Sequence, residues 1–398
     1  VLKAFKYRLY PSNDQKLMLE KTFGCARLIY NLALECKIYA YQSTKKSPSR
    51  FELQKQLLDL KSEFQWLKEI NSQSLQVSLL NLDNAYKRFF TGDGGFPKFK
   101  SKSSRNSFGC PQSVQIENGK LYIPKFKEGI EIIIDRPTKG AIRSATISKT
   151  VTNKYFVSVL CETGETIPEK SKISFDNAIG IDLGIKDFGI MSDGVVVSNP
   201  HYLQTSEPKL KHLQRNLSRK TKRSNRYKRA KLRLALYHEK ISNRRNDFLH
   251  KLSTEITNQY DTICVETLNV KGMIKNHKLA KSISDVSWSK FISMLDYKCQ
   301  WKGKNLLKIG MFEASSKTCH KCGYIKKDLI LSDRYWICHD CGENHDSDFN
   351  ASMNIKLIAL KKVLAERQSM DVEASSVDDR LNMSLRPKKH LADEALSP

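Results

Sequence analysis

The residues between 319 and 350 concentrate the metal-binding chemistry of this 398-residue chain. Cys319 and Cys322 form one Cys-x-x-Cys knuckle, and Cys338 and Cys341 form a second after a spacer of fifteen residues. That spacing fits a single tetrahedral zinc ion. A site closed by four thiolates keeps no position free for a substrate, so one Zn2+ is expected here in a structural role. Directly after the second knuckle come Asp346 and Asp348 in the run HDSDFN. Two other acids lie inside apolar runs, Asp182 in AIGIDL and Glu266 in TICVETL. A carboxylate buried in a strand is costly unless it is paired or bound to a metal. Carboxylates from two neighbouring strands and from one packed helix can converge on two Mg2+ ions about 3.5–4 Å apart, the arrangement that activates water and stabilises the leaving oxygen in phosphodiester cleavage. Asp182, Glu266 and Asp348 are the expected set, with Asp187 and Asp346 as rivals for the first and last places. The plain alternative for Asp182 alone is an aspartate at a strand end.

Composition narrows the class of partner. Lys and Arg number 68 against 42 Asp and Glu, a formal charge of +26, and 40% of residues are apolar. So basic a globular chain binds polyanions, with nucleic acid the expected one. The other six cysteines carry no pairing spacing, which together with the zinc knuckles points to a reducing compartment. No apolar run is long enough to span a bilayer, and the N-terminus VLKAFKYRLYP lacks the apolar stretch of a signal peptide. A cytoplasmic, nucleoid-associated protein without membrane contact is the expectation.

The elements that must carry the acids show in the periodicity. Phe5, Tyr7 and Leu9 alternate as a strand ending at Pro11. Asp14 is the expected cap of a helix with Leu19, Phe23, Ala26, Tyr30 and Leu34 on one face, and further helices are predicted from Phe51 and Ser72. From Ser107 the period falls to two, with Asn118-Gly119 marking a hairpin. One antiparallel β-barrel interrupted by a helical insertion accounts for this order. Residues 177–198 read as three strands, in which bare Gly180 and Gly184 leave room for a ligand backbone close to the sheet. Residues 209–251 read as one long basic helix or a helical hairpin packed on the sheet through Leu232, Leu234, Leu236, Tyr237, Ile241, Phe248 and Leu252. Strands are also predicted at Tyr260–Leu268 and Leu306–Phe312, a helix from Ser282, and another after Asn350.

The candidate nucleic-acid contacts fall in three places. Arg27 lies on the polar face of the first helix. Lys98 and Lys100 belong to a loop, GFPKFKSKSSR, whose Phe96 and Phe99 suit stacking on bases. Arg219, Lys220, Arg223, Arg226, Arg229, Arg244 and Arg245 come from the basic run, which has few acids to make it a merely solvated face.

GIDLGIKDF, VETL and the paired knuckles followed by HDSDFNASMNI resemble the TnpB family of transposon-encoded RNA-guided DNA nucleases, related to the type V CRISPR effectors. FKYRLYP, GCARLIYN, GFPKFK and NRRNDFLHKL resemble the family's other stretches in the same order. The resemblance implies that Asp182, Glu266 and Asp348 are the three acids of a RuvC-like site and that the four cysteines hold the zinc. It implies a bilobed, mixed α/β multidomain chain: a wedge-like barrel (1–12 and 106–172), a helical recognition insertion (13–105), an RNase H-like nuclease domain (173–315 and 344–366), a zinc ribbon (316–343) and a disordered tail (367–398). The implied partners are a guide RNA from the transposon end and double-stranded DNA beside a short flanking motif, bound by one protein copy. Guide pairing would then supply most of the sequence specificity. Gln76, in an SLQ stretch similar to the family's, becomes a candidate reader of the flanking motif. Ser347 stands where an arginine is common and Ser352 where alanine is, so local phosphate contacts differ. A catalytically silent guided repressor and a transposase acting without RNA are the alternative readings.

Overall fold

The alternation of Phe5, Tyr7 and Leu9 becomes β1 (Leu2–Tyr10) in a computed structural model that describes residues 1–368 apart from 104, 278, 312, 331 and 332. The expected tail therefore lies almost wholly outside the described residues. The chain divides into two units, Val1–Thr166 and the part from Ile167 onward.

In the first unit β1 leads through Pro11 into α1 (Asn13–Thr44). The cap is Ser12 rather than Asp14: Gln15 N–H donates to Ser12 Oγ, and Ser12 N–H donates back to the Gln15 side chain. This reciprocal pair satisfies two amides that the helix start would otherwise orphan. α2 (Arg50–Glu63) opens with the same box from Ser49 and Glu52, and a short 3-10 turn leads to α3 (Ser72–Phe90). Six strands follow: β2 (Asn106–Cys110), β3 (Gln115–Glu117), β4 (Lys120–Ile123), β5 (Phe126–Ile133), β6 (Ala141–Lys149) and β7 (Tyr155–Glu162). Asn118 and Gly119 both take positive φ between β3 and β4, the hairpin geometry their pairing predicts. The sheet order is β2-β6-β7-β1-β5-β4-β3, all pairs antiparallel, so β1 lies in the middle and the helices are an insertion. α1 serves two cores: Leu19, Phe23 and Ala26 pack on the sheet, while Ile29, Ala33 and Leu34 pack on α2 and α3.

The expected closed barrel is not formed. The sheet ends at β2 and β3, which do not pair with each other among the described residues. Both ends are short, at five and three residues, and present few unpaired backbone groups. α3 also packs against β2, where bare Gly109 admits the Val77 side chain.

The second unit opens with β8 (Ala178–Leu183), β9 (Asp187–Met191) and β10 (Val196–Ser198). The basic run is two helices, α4 (Tyr202–Ser218) and α5 (Asn225–Gln259), broken by a linker in which Arg223 takes a positive φ. Pro208 sits inside α4. β11 (Thr262–Glu266) follows, then short α6 (Val270–Met273), α7 (Ala280–Val286), α8 (Trp288–Lys302) and β12 (Asn305–Ile309). The helix predicted from Ser282 is thus two pieces, parted at Ser287 with φ 59°. β13 (Tyr335–Ile337) and β14 (Asn344–Asp346) form a two-stranded ribbon that runs directly into α9 (Ser347–Gln368).

The main sheet has the order β10-β9-β8-β11-β12, with β8, β9 and β10 antiparallel and β8, β11 and β12 parallel. Alternation along the strands sorts the faces. Ile179, Ile181, Ile263 and Val265 point to the core made with α5 and α8, while Ala178 and Cys264 pack with α9. Only the second half of α5 joins the core, through Leu249, Leu252 and Ile256. Leu232 and Leu236, expected against the sheet, are exposed instead, because that half of α5 pairs with α4 and not with the sheet.

Candidate functional site

The alternation that sends Ile181 and Val265 to one face sends Asp182 and Glu266 to the other, the face covered by α9. In the parallel register Val265 stands opposite Ile181, which brings the two acids to the same level at the strand ends. α9 crosses this face closely. A Cβ on Gly180 would lie 2.1 Å from the Ser352 carbonyl oxygen, so the space expected to admit a ligand is filled by the helix. The room at Gly184 is likewise taken by the Asp187 carbonyl, 2.8 Å from a built Cβ. Fully buried Ser352 turns its hydroxyl back to the Phe349 carbonyl.

This close seat delivers the first turn of α9 to the strand ends. Asp346 accepts the amides of Asp348 and Phe349 and so caps the helix start, whereas Asp348 faces the strands. Asp182, Asp187, Arg334 and Asp348 line one small cavity. The Asp182 carboxyl is pushed up to about 7, first by burial and then by the negative charges of Glu266 and Asp348. Burial and the neighbouring negative charges penalise the ionised Asp182 carboxylate, a penalty that a hard divalent cation relieves. The three carboxylates supply the hard oxygen donors that such a cation takes, though they are not drawn within 4.8 Å of one another as the cysteine sulfurs are.

Each of the outer two carboxylates already has a protein partner. Arg334 Nη1 lies 2.8 Å from both oxygens of Asp348, and the Ser315 hydroxyl donates to Glu266 Oε1 at 2.5 Å. Neither partner stands out in the sequence. Arg334 reaches the site because β13 pairs with β14, Tyr335 opposite Asp346. Ser347, where the resemblance led us to expect arginine, donates its N–H to the Arg334 carbonyl and its hydroxyl to the Asp333 carbonyl. The serine thus holds in place a neighbouring strand that supplies a guanidinium of its own.

The four cysteines gather as their spacing predicts. Their sulfurs all lie within 4.8 Å of one another, the one such cluster of metal-binding side chains among the described residues. Cys319 and Cys341 are 3.7 Å apart, and Cys322 and Cys338 are 3.5 Å apart. Sulfurs about 2.3 Å from a shared zinc stand about 3.8 Å from each other, so the cage has the right size. Gly323 and Gly342, each one residue past a knuckle, have positive φ and donate back to the Cys319 and Cys338 carbonyls. Burial and the adjacent thiols push the Cys322 thiol far up, a penalty that a bound cation reverses. His345, buried beside the cluster with Nε2 3.0 Å from Cys319 Sγ, was not anticipated from sequence.

The basic candidates divide into free and engaged. Gln76 is exposed on α3, and Lys98 is exposed in its loop. Lys100 instead rests its ammonium 3.8 Å from the centre of the Tyr30 ring, and Asn31 pairs with its backbone on both sides. Arg27 is half-buried and donates to Asn106. Arg219, Arg223, Arg226, Arg229 and Arg244 are exposed and Lys220 is half-exposed. Arg245 turns inward to Asp285 at 2.5 Å, an acid that also accepts the Leu203 amide. At the end of α3, Phe89 and Phe90 cluster with Tyr86 and Phe96, and Phe90 is 78% exposed.

Comparison with known proteins places these features. A family described as "Probable transposase" (OrfB of IS605) matches residues 158–277, "Cas12f1-like, TNB domain" matches 288–355, and "Helix-turn-helix domain" matches 1–46. A Streptomyces pristinaespiralis protein named "Putative RNA-guided DNA endonuclease" is 38% identical over 361 residues, covering 89% of each chain. Its Escherichia coli K12 counterpart InsQ is 31% identical over 383 residues, covering 92% of this chain and 94% of its own. The "TnpB-like protein L770" of Acanthamoeba polyphaga mimivirus is 26% identical and covers 89% of this chain and 73% of its own. Among solved structures, a Cas12f1–sgRNA–target DNA complex aligns with a TM-score of 0.55 at 12% identity, over 89% of this chain and 98% of that one. The mixed α/β fold is shared with that effector.

Proposed function

The chain belongs to the TnpB family, and from that premise we infer that it is an RNA-guided DNA endonuclease whose cutting site is the face between β8, β11 and the first turn of α9. The observation that supports the site assignment is that Asp182, its carboxyl pushed up to about 7 by burial and then by the charges of Glu266 and Asp348, shares the face beneath α9 with those two acids. Two Mg2+ ions bound there would supply an activated water and charge stabilisation at the leaving oxygen. Asp182, Glu266 and Asp348 are the residues that would hold them. Arg334 lines the same cavity, where a guanidinium would match the oxygens of a phosphodiester. The four cysteines hold one structural Zn2+.

The partners follow from charge and shape. Guide RNA and target DNA are polyanions, and the exposed arginines of the α4–α5 hairpin offer a phosphate track. Phe90 and Phe96, with Lys98 nearby, form a platform on which unpaired bases can stack. Gln76, exposed on α3, is the proposed reader of the flanking motif. The domain division 1–12 with 106–172, 13–105, 173–315 with 344–366, and 316–343 follows the element order and is our working description. The protein acts as one copy on its RNA.

The test uses protein purified with RNA from its own genomic flank, incubated with matched and mismatched plasmid. Mg2+-dependent linearisation of the matched plasmid alone, lost in EDTA and reduced by at least about 10³-fold in Asp182→Ala with RNA still bound, is the expected result. Guided binding without cutting in the wild type would replace this reading with the silent repressor. Strand transfer without RNA would replace it with the transposase.

A further inference from the structure

The zinc ribbon grips the acids of the cutting site at more than one point. Ser315, 5% exposed, lies between β12 and the first cysteine knuckle and donates its hydroxyl to Glu266. Its carbonyl in turn accepts the side-chain amide of Asn354 at 2.7 Å, and that amide also reaches the Thr318 carbonyl at 2.5 Å. One helical turn earlier, Asn350 donates to the same Thr318 carbonyl and accepts the His320 amide. Asn350 and Asn354 are at most 3% exposed and lie four residues apart on one face of α9. Together they clamp Thr318, Cys319 and His320 to the helix that carries Asp348. Cys319 is also met by His345 of β14, the strand that runs into that helix.

Conformational freedom at the first knuckle is therefore tied to the rotamer of Glu266 and to the seat of Asp348. An ion on the four thiolates fixes Cys319, and with it the backbone from Ser315 to His320. We propose that the cysteine cluster and the carboxylate site bind their cations with positive coupling, transmitted by Ser315 and the Asn350–Asn354 clamp. Ser315 is a positioning residue: it orients Glu266 through one charge-assisted hydrogen bond and touches no reacting atom. The proposal rests on the reading of Asp182, Glu266 and Asp348 as the divalent-cation site. By linkage the coupling runs both ways, so each metal tightens the other's binding by the same factor.

Mn2+ serves as the probe. Its affinity for the full chain is measured by calorimetry, alongside zinc content by atomic absorption and the melting temperature. Ser315→Ala should retain its zinc and its melting temperature within a few degrees, yet bind Mn2+ roughly 10–100-fold more weakly, the usual cost of removing a group that orients a metal ligand. Ser315→Thr should restore the affinity. Partial zinc removal by a chelator should weaken Mn2+ binding, and saturating Mn2+ should retard zinc loss from wild type while leaving Ser315→Ala unaffected. Equal Mn2+ affinity in wild type and Ser315→Ala overturns the coupling and leaves the carboxylate site standing. Mn2+ binding by wild type that Asp182→Ala does not diminish overturns the carboxylate reading, and the coupling with it.

Discussion

Arg334 shows how a single side chain can belong to the chemistry while lying outside the motif that announces it. Its guanidinium pairs with Asp348 and lines the cavity of Asp182. Removing a donor aimed at developing charge costs about 10²–10³ in rate. Arg334→Ala should therefore cut at least about 100-fold more slowly with unchanged RNA and DNA binding, measured in single-turnover cleavage; a parallel loss of binding would assign it to substrate capture instead. Lys298 is a residue of a different kind. Its buried ammonium donates to the His250 carbonyl, Ser253 Oγ and Thr254 Oγ1, and burial, then the charge of Lys302, pushes its pKa down to about 8. Below that pH the folded and unfolded chains both hold the proton, so the cost of burying the charge is fully present. Between about 8 and 10.4 the unfolded chain binds more protons, and stability rises with pH. Compared with Lys298→Met in urea unfolding, the wild type should gain about 1–3 kcal/mol from pH 7 to pH 10. A constant difference would show that the lysine titrates normally. The acids were legible because a carboxylate among strand-forming apolar residues has few innocent uses. Arg334 and Ser315 were not, since their roles exist only once β13 meets β14 and β12 delivers its loop.

α9 is the element on which the site depends, and its closeness to β8 rests on one absent side chain. The atom that a Gly180→Ala methyl would strike is the backbone oxygen of Ser352, which has no rotamer to escape into. Overpacking of this kind costs about 1–3 kcal/mol and displaces the neighbouring element. Gly180→Ala should lower the melting temperature and, by lifting Asp348 from Asp182, reduce cleavage more than RNA binding. Full activity in a destabilised variant would show that α9 tolerates the shift. The period-two segments and the Asn118-Gly119 hairpin were readable because their signals are local. The basic run could be read as one helix or as a hairpin, and the place of the break between α4 and α5 was not legible, because Arg223 takes a left-handed backbone with no glycine to signal it. Nor did Leu232 and Leu236 mark a buried face. Their spacing is helical, but which neighbour covers a stripe is a tertiary fact.

At the scale of the molecule, each of the two units carries its own core, and the zinc cage belongs to the second. Cys338→Ser should abolish zinc stoichiometry and lower the thermal transition of the unit from Ile167 onward by roughly 5–10 °C, at 2–4 °C per kcal/mol lost. The transition of Val1–Thr166, followed by calorimetry, should not move. A single transition shifting as a whole would show that the two unfold together. The charge of +26 was the earliest guide to a polyanionic partner, and it holds at this scale because it needs no fold. Whether the first sheet closes was less accessible. Strand number and alternation are the same for an open sheet and a barrel, and only the pairing of its ends decides.

The central place of β1 in its sheet has a consequence for how the protein is made. Its neighbours β5 and β7 begin at Phe126 and Tyr155, so this strand is made long before its partners and is among the last to pair. Until then it carries two bare edges, and closing so long a loop makes this sheet slow to assemble. The intervening helices rely on local contacts and can fold while the strand waits. Leu19, Phe23 and Ala26 of α1 then offer a surface on which β1 can be held until synthesis passes residue 162. β1 thus stays without its sheet partners until β5 and β7 have both been made.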